Sequence, residues 1–302
     1  MRKQLAEALL VRASSPNMVF FTGDLGFMAL EELKAKMGER FINAGVAEQN
    51  MMSVSAGMTR QGLETWVYSI APFCYARPFE QIRNDICFHG LAVKMIGNGG
   101  GYGYGVMGPT HHAIEDYGVL LTLPNMHAYI PVFDEDLATL IPRIGESQDP
   151  AYLRLGKGEI PAGYSVIEYA PWRQLVEGGG PTIIAVGPIA GTYLQDFLVH
   201  PHEFRPNFWV CSELPLTKNP IPEKLLAQLV KSKNLSIIEE HVSQGSLASA
   251  IALDFLSRSI SLDRFNLFCA KEHIYDRYGS QKFLRKQSGL DPEFVIATIY
   301  SN

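Results

Sequence analysis

The stretch Phe41-Ile-Asn-Ala-Gly-Val-Ala-Glu-Gln-Asn-Met-Met52 marks a short apolar strand that passes through a glycine turn into a helix. Its one carboxylate, Glu48, lies among apolar and small residues. Burial of an ionised carboxylate is costly unless a proton or a hydrogen-bond donor compensates its charge. Glu48 is therefore either an acid of a first helical turn, stabilised by the helix dipole, or a carboxylate that serves chemistry. The spacing alone leaves both interpretations open.

On both sides of this stretch, short apolar strands alternate with helical patterns. The strands expected in the first half are Met18–Thr22, Phe41–Ala44, Glu64–Ser69, Leu91–Ile96, His127–Pro131 and Ala151–Leu155. One of the helices between them is expected from about Ala76 to Phe88. The pattern restarts with expected strands at Thr182–Val186, Phe208–Cys211, Leu235–Ile238 and Phe265–Cys269. Alternation of this kind predicts an α/β fold with two doubly wound, mainly parallel-sheet domains. We expect the domains at residues 1–165 and 180–302, with 166–179 as a linker rich in glycine, proline and polar residues.

Composition narrows the function classes. The chain has 302 residues, of which 47% are hydrophobic and 19% charged, and its net charge of −5 gives no electrostatic footprint for nucleic acid. Its four cysteines are scattered, which predicts neither a zinc site nor a disulfide framework and favours a reducing cytoplasm. No apolar run approaches the roughly 20 residues that a membrane span needs. The first residues read as an amphipathic helix rather than a signal peptide.

Several short motifs occur in a fixed order along the chain. They are Gly-Asp24-Leu, Gly-Val-Ala-Glu48-Gln-Asn, Phe73 with Arg77-Pro-Phe-Glu-Gln-Ile-Arg, Gly-Pro-Thr-His111, Tyr-Leu-Arg-Leu-Gly-Lys157-Gly, Ile-Glu-Glu-His241 and Asp276-Arg-Tyr-Gly279. Each is weak alone, but in this order and spacing the chain resembles the C-terminal portion of the transketolase family. That portion comprises the pyrimidine-binding domain and the C-terminal domain of a thiamine-diphosphate enzyme, and the resemblance covers nearly the whole chain.

The resemblance implies roles for four residues around the cofactor. Glu48 matches the glutamate that bonds to the aminopyrimidine ring and drives the tautomer that activates thiamine diphosphate. Phe73 matches an aromatic residue that stacks on the pyrimidine, and Tyr68 is a weaker aromatic candidate. Asp24 matches an aspartate close to the cofactor. The structural alternatives are a core phenylalanine at Phe73 and a turn-forming aspartate at Asp24.

The resemblance also implies a substrate site on the glycine-rich loop from Gly97 to His112, which lacks the lysine of a phosphate-binding P-loop. His111 matches a catalytic histidine that contacts the substrate oxygen, and Lys157 falls where the family places a phosphate-binding arginine. The loop departs from the family at Met107, in place of an aspartate, and at Gly99, in place of a histidine. Both departures remove side chains that would bond to sugar hydroxyls. We therefore expect as donor an unusual, less hydroxylated or nucleotide-linked sugar, or a 2-oxo acid such as pyruvate.

The chain contains no Gly-Asp-Gly motif of the kind that holds the diphosphate through Mg²⁺ in this family. We therefore expect a separate N-terminal transketolase-like subunit to supply the diphosphate and magnesium site. The pair His112 and Glu115 is too small a ligand set for a metal of its own. The expected assembly is an α₂β₂ heterotetramer in which this chain dimerises, with a small-molecule substrate and neither nucleic acid nor a membrane as partner.

Three functional interpretations follow. The first is a transketolase-like transferase subunit that moves a two-carbon ketol or related unit. The second is the β subunit of a 2-oxo acid dehydrogenase or of an enzyme like deoxyxylulose-phosphate synthase, and the third is a catalytically degenerate scaffold subunit. In the second domain, Glu239, Glu240 and His241 are expected to be solvated charges at a strand end rather than a regulatory anion site.

Overall fold

The computed structural model describes residues 1–301. Its first sheet has seven strands in the order β10-β5-β6-β4-β3-β1-β2. These strands are β1 Met18–Thr22, β2 Phe41–Asn43, β3 Glu64–Ile70, β4 Lys94–Asn98, β5 His127–Tyr129, β6 Ala151–Arg154 and β10 Glu213–Leu214. All pairs are parallel except β10 with β5. The carboxyl ends of β1 to β4 therefore meet at one edge of the sheet.

The second sheet has five strands in the order β12-β11-β8-β9-β7. They are β7 Trp172–Val176, β8 Thr182–Val186, β9 Asn207–Cys211, β11 Asn234–Glu239 and β12 Arg264–Cys269. Only the edge strand β7 runs antiparallel to its neighbour. The predicted α/β fold with two mainly parallel sheets is confirmed.

Helices cover both faces of the first sheet. Met51, Met52 and Ala56 of helix Glu48–Arg60 are buried against one face, and Leu5 and Leu9 of helix Arg2–Arg12 are buried against the other. The remaining helices are Glu31–Met37, Ala71–Tyr75, Phe79–Gln81, Asp116–Leu120, Asp136–Glu146, Ala190–Val199, Glu223–Ser232, Leu247–Ser257, Gln281–Gln287 and Pro292–Tyr300. None of the helices in residues 1–301 is long and apolar enough to cross a membrane.

Two local predictions differ from the structure. The expected linker 166–179 contains strand β7, whose Trp172 and Val176 are buried, so the second sheet begins before Thr182. The single helix expected over about 76–88 is instead divided into Ala71–Tyr75, Phe79–Gln81 and a π-helical segment, Ile82–Cys87. Pro78 explains the division, because it lacks the N–H that a continuous helix would use. The domain boundaries stay a prediction.

Buried polar groups join the two sheets. Glu239, Glu240 and His241 are buried rather than solvated, so that expectation is wrong. Tyr117 donates from its hydroxyl to Glu239, and Gly118 donates its N–H to His241 Nε2 at 3.1 Å. The strand end predicted to face water therefore packs against a helix of the first sheet.

Acid should destabilise this contact between the sheets. His241 Nε2 accepts a hydrogen bond and Nδ1 donates to the Val242 carbonyl, so the folded chain needs the neutral ring. Burial lowers the pKa of His241, despite Asp116 and Glu239 nearby. Because the unfolded chain binds more protons below its histidine pKa of about 6.5, the free energy of unfolding should fall as the pH drops below that value.

Urea denaturation of the purified chain at pH 7.5 and 5.5 measures this effect. The maximal slope is about 1.4 kcal/mol per pH unit for one histidine. Replacement of His241 by glutamine keeps a neutral polar side chain and should reduce the difference between the two pH values. An equal pH dependence in wild type and variant would remove His241 as the cause.

Candidate active site

The first sheet gathers four of the predicted site residues at the carboxyl ends of its strands. Asp24 follows β1, Glu48 follows β2, Phe73 follows β3, and His111 lies in the long loop after β4. In open α/β sheets this edge is where ligands bind, because the loops there converge. The topology alone therefore places these four residues along the edge formed by the carboxyl ends of the strands, which is called the rim below.

Glu48 is the first residue of its helix and is 3% exposed. Its Oε1 accepts a hydrogen bond from Arg77 Nη1 at 2.7 Å. The helix N-terminus and the arginine together offset the cost of burying the carboxylate. Its Oε2 accepts no hydrogen bond from residues 1–301, and that oxygen is thus available to a ligand. Ser69 Oγ, at the end of β3, is also buried without a partner.

Arg77 links Glu48 to the aromatic residues of the rim. Its guanidinium carbon lies 3.6 Å from the centroid of the Phe73 ring. The rings of Phe73 and His111 in turn pack edge to face, with 5.2 Å between their centroids. Glu48, Arg77, Phe73 and His111 therefore form one continuous line of contacts. Arg77 covers one face of the Phe73 ring.

His111 lies on a single 3-10 turn, Pro109–His111, and is half-buried. Its Nδ1 and the Thr110 hydroxyl are 2.9 Å apart, which fixes the ring beside Phe73. Tyr104, from the same loop, lies 6.0 Å from His111 between ring centroids. The loop thus presents an imidazole and a phenol on the same side as Phe73.

Asp24 lies in a strained turn at the same edge, with φ +59. Its N–H donates to Asn43 Oδ1 at 3.0 Å, and Asn43 Nδ2 donates back to its carboxylate at 2.8 Å. A methyl group at the preceding Gly23 would lie 3.7 Å from Glu48 Oε1. Asp24 therefore both forms a turn and borders the Glu48 site.

Tyr68 lies on the other face of the sheet from Glu48. It is buried in the core beside Phe20 and Trp66, on the sheet face opposite the helix of Glu48. Burial raises the pKa of Tyr68 to about 12. The reason is alternation along β3, where successive side chains point to opposite faces. The cofactor contact expected of Tyr68 stays a prediction.

A cleft of about 550 Å³ opens beside the rim. Among the residues that line it are Gly99, Lys157, Arg2, Tyr104 and Gln281. Two of the predicted substrate residues, Gly99 and Lys157, thus share one cavity. The cations Arg2 and Lys157 make it suitable for an anionic group.

Gly99 has a steric reason to lack a side chain. Its φ is +76, and a β-carbon there would lie 2.3 Å from Cε2 of Tyr104. The ring of Tyr104 therefore fills the space that a histidine at this position would take. Met107 lies on the outer turn Gly105–Met107, is 54% exposed and does not line the cleft.

Within residues 1–301 no group of three or more His, Cys, Asp or Glu side chains could hold a metal ion. His112 Nε2 bonds to the Gly105 carbonyl, and burial lowers the pKa of this ring. Glu115 instead pairs with His273 at 3.1 Å. His112 therefore bonds within the loop, whereas Glu115 pairs with a residue from the second half of the chain.

A family model for the transketolase pyrimidine binding domain matches residues 1–162, more than half of the chain. The chain belongs to the transketolase family. It is 27% identical over 296 residues to one subunit of the apulose-4-phosphate transketolase of Phocaeicola vulgatus, covering 93% of each chain. It is 29% identical to a Methanocaldococcus jannaschii protein provisionally named a transketolase C-terminal section, covering 99% of this chain and 95% of that protein.

Among solved structures, the transketolase-family chain is similar to one titled "Split gene transketolase, inactive beta4 tetramer". The TM-score is 0.83 and the identity 28%, with 99% of this chain and 96% of that chain covered. Membership of the transketolase family implies thiamine diphosphate as cofactor. The free carboxylate oxygen of Glu48 and the half-buried aromatic ring of Phe73 fit the ring of such a group, since one offers an acceptor and the other a flat apolar surface.

The sequence reasoning missed three residues of the site. Arg77 was part of a motif, but its partner Glu48 is 29 residues away, and no spacing rule connects them. Arg2 and Gln281 line the cleft from opposite ends of the chain. Alternation along β3 could have shown that Tyr68 points away from the helix of Glu48. Val67 and Ser69, one position before and after it, point toward that helix.

Proposed function

We propose that the chain is the C-terminal subunit of a heteromeric, thiamine-diphosphate-dependent transketolase-like enzyme. It would transfer a two-carbon ketol or related unit between sugar-type substrates. The observation that carries this proposal is the line of contacts from Glu48 through Arg77 and Phe73 to His111, which ends beside the cleft of Lys157. It combines a proton-exchanging carboxylate, a ring platform and a histidine.

Each residue has a defined task in this proposal. Thiamine diphosphate, when bound, supplies a carbon nucleophile on its thiazolium ring. Glu48 exchanges a proton with a ring nitrogen at its free oxygen, while Arg77 holds the other oxygen in place. Phe73 orients the ring, Asp24 borders it, and His111 exchanges a proton with a substrate oxygen. Arg2 and Lys157 bind an anionic end of the substrate.

A partner subunit is part of the proposal. Large apolar side chains on the rim loops face solvent, namely Phe27, Val46, Val106 and Met28, the last 96% exposed. Exposed apolar side chains of this size are typical of an interface. We propose that an N-terminal transketolase-like subunit covers this rim and supplies the Mg²⁺ and diphosphate site. Two such pairs would form an α₂β₂ assembly, in a cytoplasm consistent with the four unpaired cysteines.

A second candidate function differs from the first in its donor substrate. Gly99 and Met107 offer no hydroxyl reader, which favours a pyruvate-using enzyme of the 2-oxo acid dehydrogenase or deoxyxylulose-phosphate-synthase type. The cations of the cleft favour a phosphorylated sugar instead. Comparison of pyruvate with ketose phosphates as donors separates the two.

Reconstitution tests the partner requirement. The chain is purified alone and together with a candidate partner that carries Gly-Asp-Gly and a downstream Asn, and both preparations receive thiamine diphosphate and Mg²⁺. We expect turnover only in the mixture, at least a hundredfold above the chain alone. The relative titled an inactive β4 tetramer supports this expectation. Tight cofactor binding and full turnover by the chain alone would contradict it.

A further inference from the structure

The half of the chain that forms the second sheet also contributes to the cleft. Gln281, the first residue of helix Gln281–Gln287, lines the cleft together with Lys157 and Gly99. The segment before Gln281 packs closely against the glycine-rich loop, since a β-carbon at Gly105 would lie 3.0 Å from the Gly279 carbonyl oxygen. The cleft is therefore built from both halves of the chain.

The amide of Gln281 has a fixed orientation. Its Nε2 donates to both carboxylate oxygens of Glu240, at 3.0 and 3.1 Å. A carboxylate accepts and does not donate, so the amide nitrogen, not the oxygen, must face Glu240. Because an amide is planar, its carbonyl oxygen points away from Glu240. That oxygen has no partner in residues 1–301 and is an acceptor available to the cleft.

Glu240 is a rigid anchor for this amide. It is buried, and it also accepts from Arg285 Nη2 at 2.7 Å and from the Tyr102 N–H at 3.0 Å. Burial acts to raise the pKa of Glu240, but Arg285 and Gln281 outweigh it and hold the pKa below its ordinary value. The ionised carboxylate therefore keeps the amide in one orientation.

Tyr104 supplies the complementary group. Its hydroxyl oxygen accepts from Asn98 Nδ2 at 2.7 Å, so its own proton is left to donate. That proton has no acceptor in the described part of the chain. The ring stands over Gly99 and lines the same cleft as Gln281. The cleft thus holds one oriented donor and one oriented acceptor.

We propose that Tyr104 and Gln281 are the pair that recognises a substrate hydroxyl, with Tyr104 as donor and Gln281 as acceptor. They line the same cleft as Gly99, which has no side chain that could contact a hydroxyl. The substrate class is a hydroxylated aldehyde or ketone with an anionic end held by Lys157. This inference rests on the proposed function, because it assumes that the cleft binds the substrate of that reaction.

The test compares two acceptor aldehydes that differ by one hydroxyl, glyceraldehyde 3-phosphate and 3-phosphopropanal. The reconstituted enzyme is assayed with hydroxypyruvate as a common two-carbon donor. We expect the wild type to favour the hydroxylated acceptor in kcat/KM by at least tenfold. Tyr104→Phe and Gln281→Leu should each lower that preference about tenfold, mainly through KM, and leave kcat/KM for 3-phosphopropanal nearly unchanged.

Matched changes elsewhere serve as controls. Tyr275→Phe alters an exposed tyrosine, and Gln287→Leu alters an exposed glutamine at the other end of the same helix. Both should keep the wild-type preference. If Tyr104→Phe and Gln281→Leu reduce kcat/KM equally for both acceptors, or change neither, the pair does not recognise the hydroxyl.

A binding measurement separates this inference from the proposed function. Calorimetric titration of the assembled subunits with the same two phosphates gives their dissociation constants without turnover. If no turnover occurs but the hydroxylated ligand binds more tightly and loses that advantage in Tyr104→Phe, the proposed reaction fails and the recognition pair stands. Equal binding of both ligands by wild type would overturn the pair.

Discussion

Replacement of Glu48 by glutamine in the assembled enzyme should lower kcat by about a thousandfold, within the usual range for the loss of a proton-transferring group. Glutamine has the same shape and still accepts the hydrogen bond from Arg77. What it loses is the ability to take up and return a proton at the oxygen that accepts no hydrogen bond from residues 1–301. The measurement is steady-state kcat at saturating cofactor, with circular dichroism to confirm the fold.

The matched control for this variant is Glu80→Gln, at an exposed position of the neighbouring helix Phe79–Gln81. It should retain full activity. A Glu48→Gln enzyme with unchanged kcat would remove the carboxylate from the mechanism and would favour the scaffold interpretation. A loss that disappears at higher cofactor concentration would assign Glu48 to binding alone.

Replacement of Arg173 by leucine should lower the free energy of unfolding by about 3–5 kcal/mol, the usual cost of leaving a buried charge unpaired. Arg173 lies on β7 and makes a bidentate pair with Asp136, with both nitrogen–oxygen distances at 2.7 Å. Both side chains are buried. The N–H groups of Val132 and Phe133 still bond to Asp136 in the variant, but they do not neutralise its charge.

Urea unfolding followed by circular dichroism measures this loss. Arg258→Leu is the matched control, because Arg258 pairs with Asp254 across one exposed helical turn. An exposed pair of this kind contributes about 0.5 kcal/mol or less. If the two leucine variants are equally stable, the Arg173 pair does not join the two sheets energetically.

Most of the fold followed from the sequence because strands of parallel sheets are short apolar runs between helical patterns. The strands predicted at Met18–Thr22 and Thr182–Val186 agree with the structure residue for residue. Strand β7 did not follow, because an antiparallel edge strand with Arg173 and Gln174 at its centre reads as polar linker. The short β10 was missed for a similar reason, since two residues carry no periodicity.

The candidate site was predictable where a residue follows directly from a strand end. Glu48, Phe73 and His111 were named from motifs, and the sheet does bring them together, while their catalytic roles stay predictions. The ion pair of Glu48 with Arg77 was not predictable, because it depends on how two loops meet in space. The place of Gln281 in the cleft was not predictable for the same reason, since this residue comes from the half of the chain that forms the second sheet.

The contact between Tyr104 and Gly99 couples the two positions in any evolutionary path between substrate preferences. With Tyr104 in its present position, a histidine at position 99 would clash, because its β-carbon would lie 2.3 Å from the ring. A lineage that acquired the histidine first would pass through a clashing intermediate. The accessible order is therefore loss of the aromatic ring before gain of the imidazole. A tyrosine at position 104 thereby disfavours a histidine at position 99, and a histidine at position 99 disfavours a tyrosine at position 104.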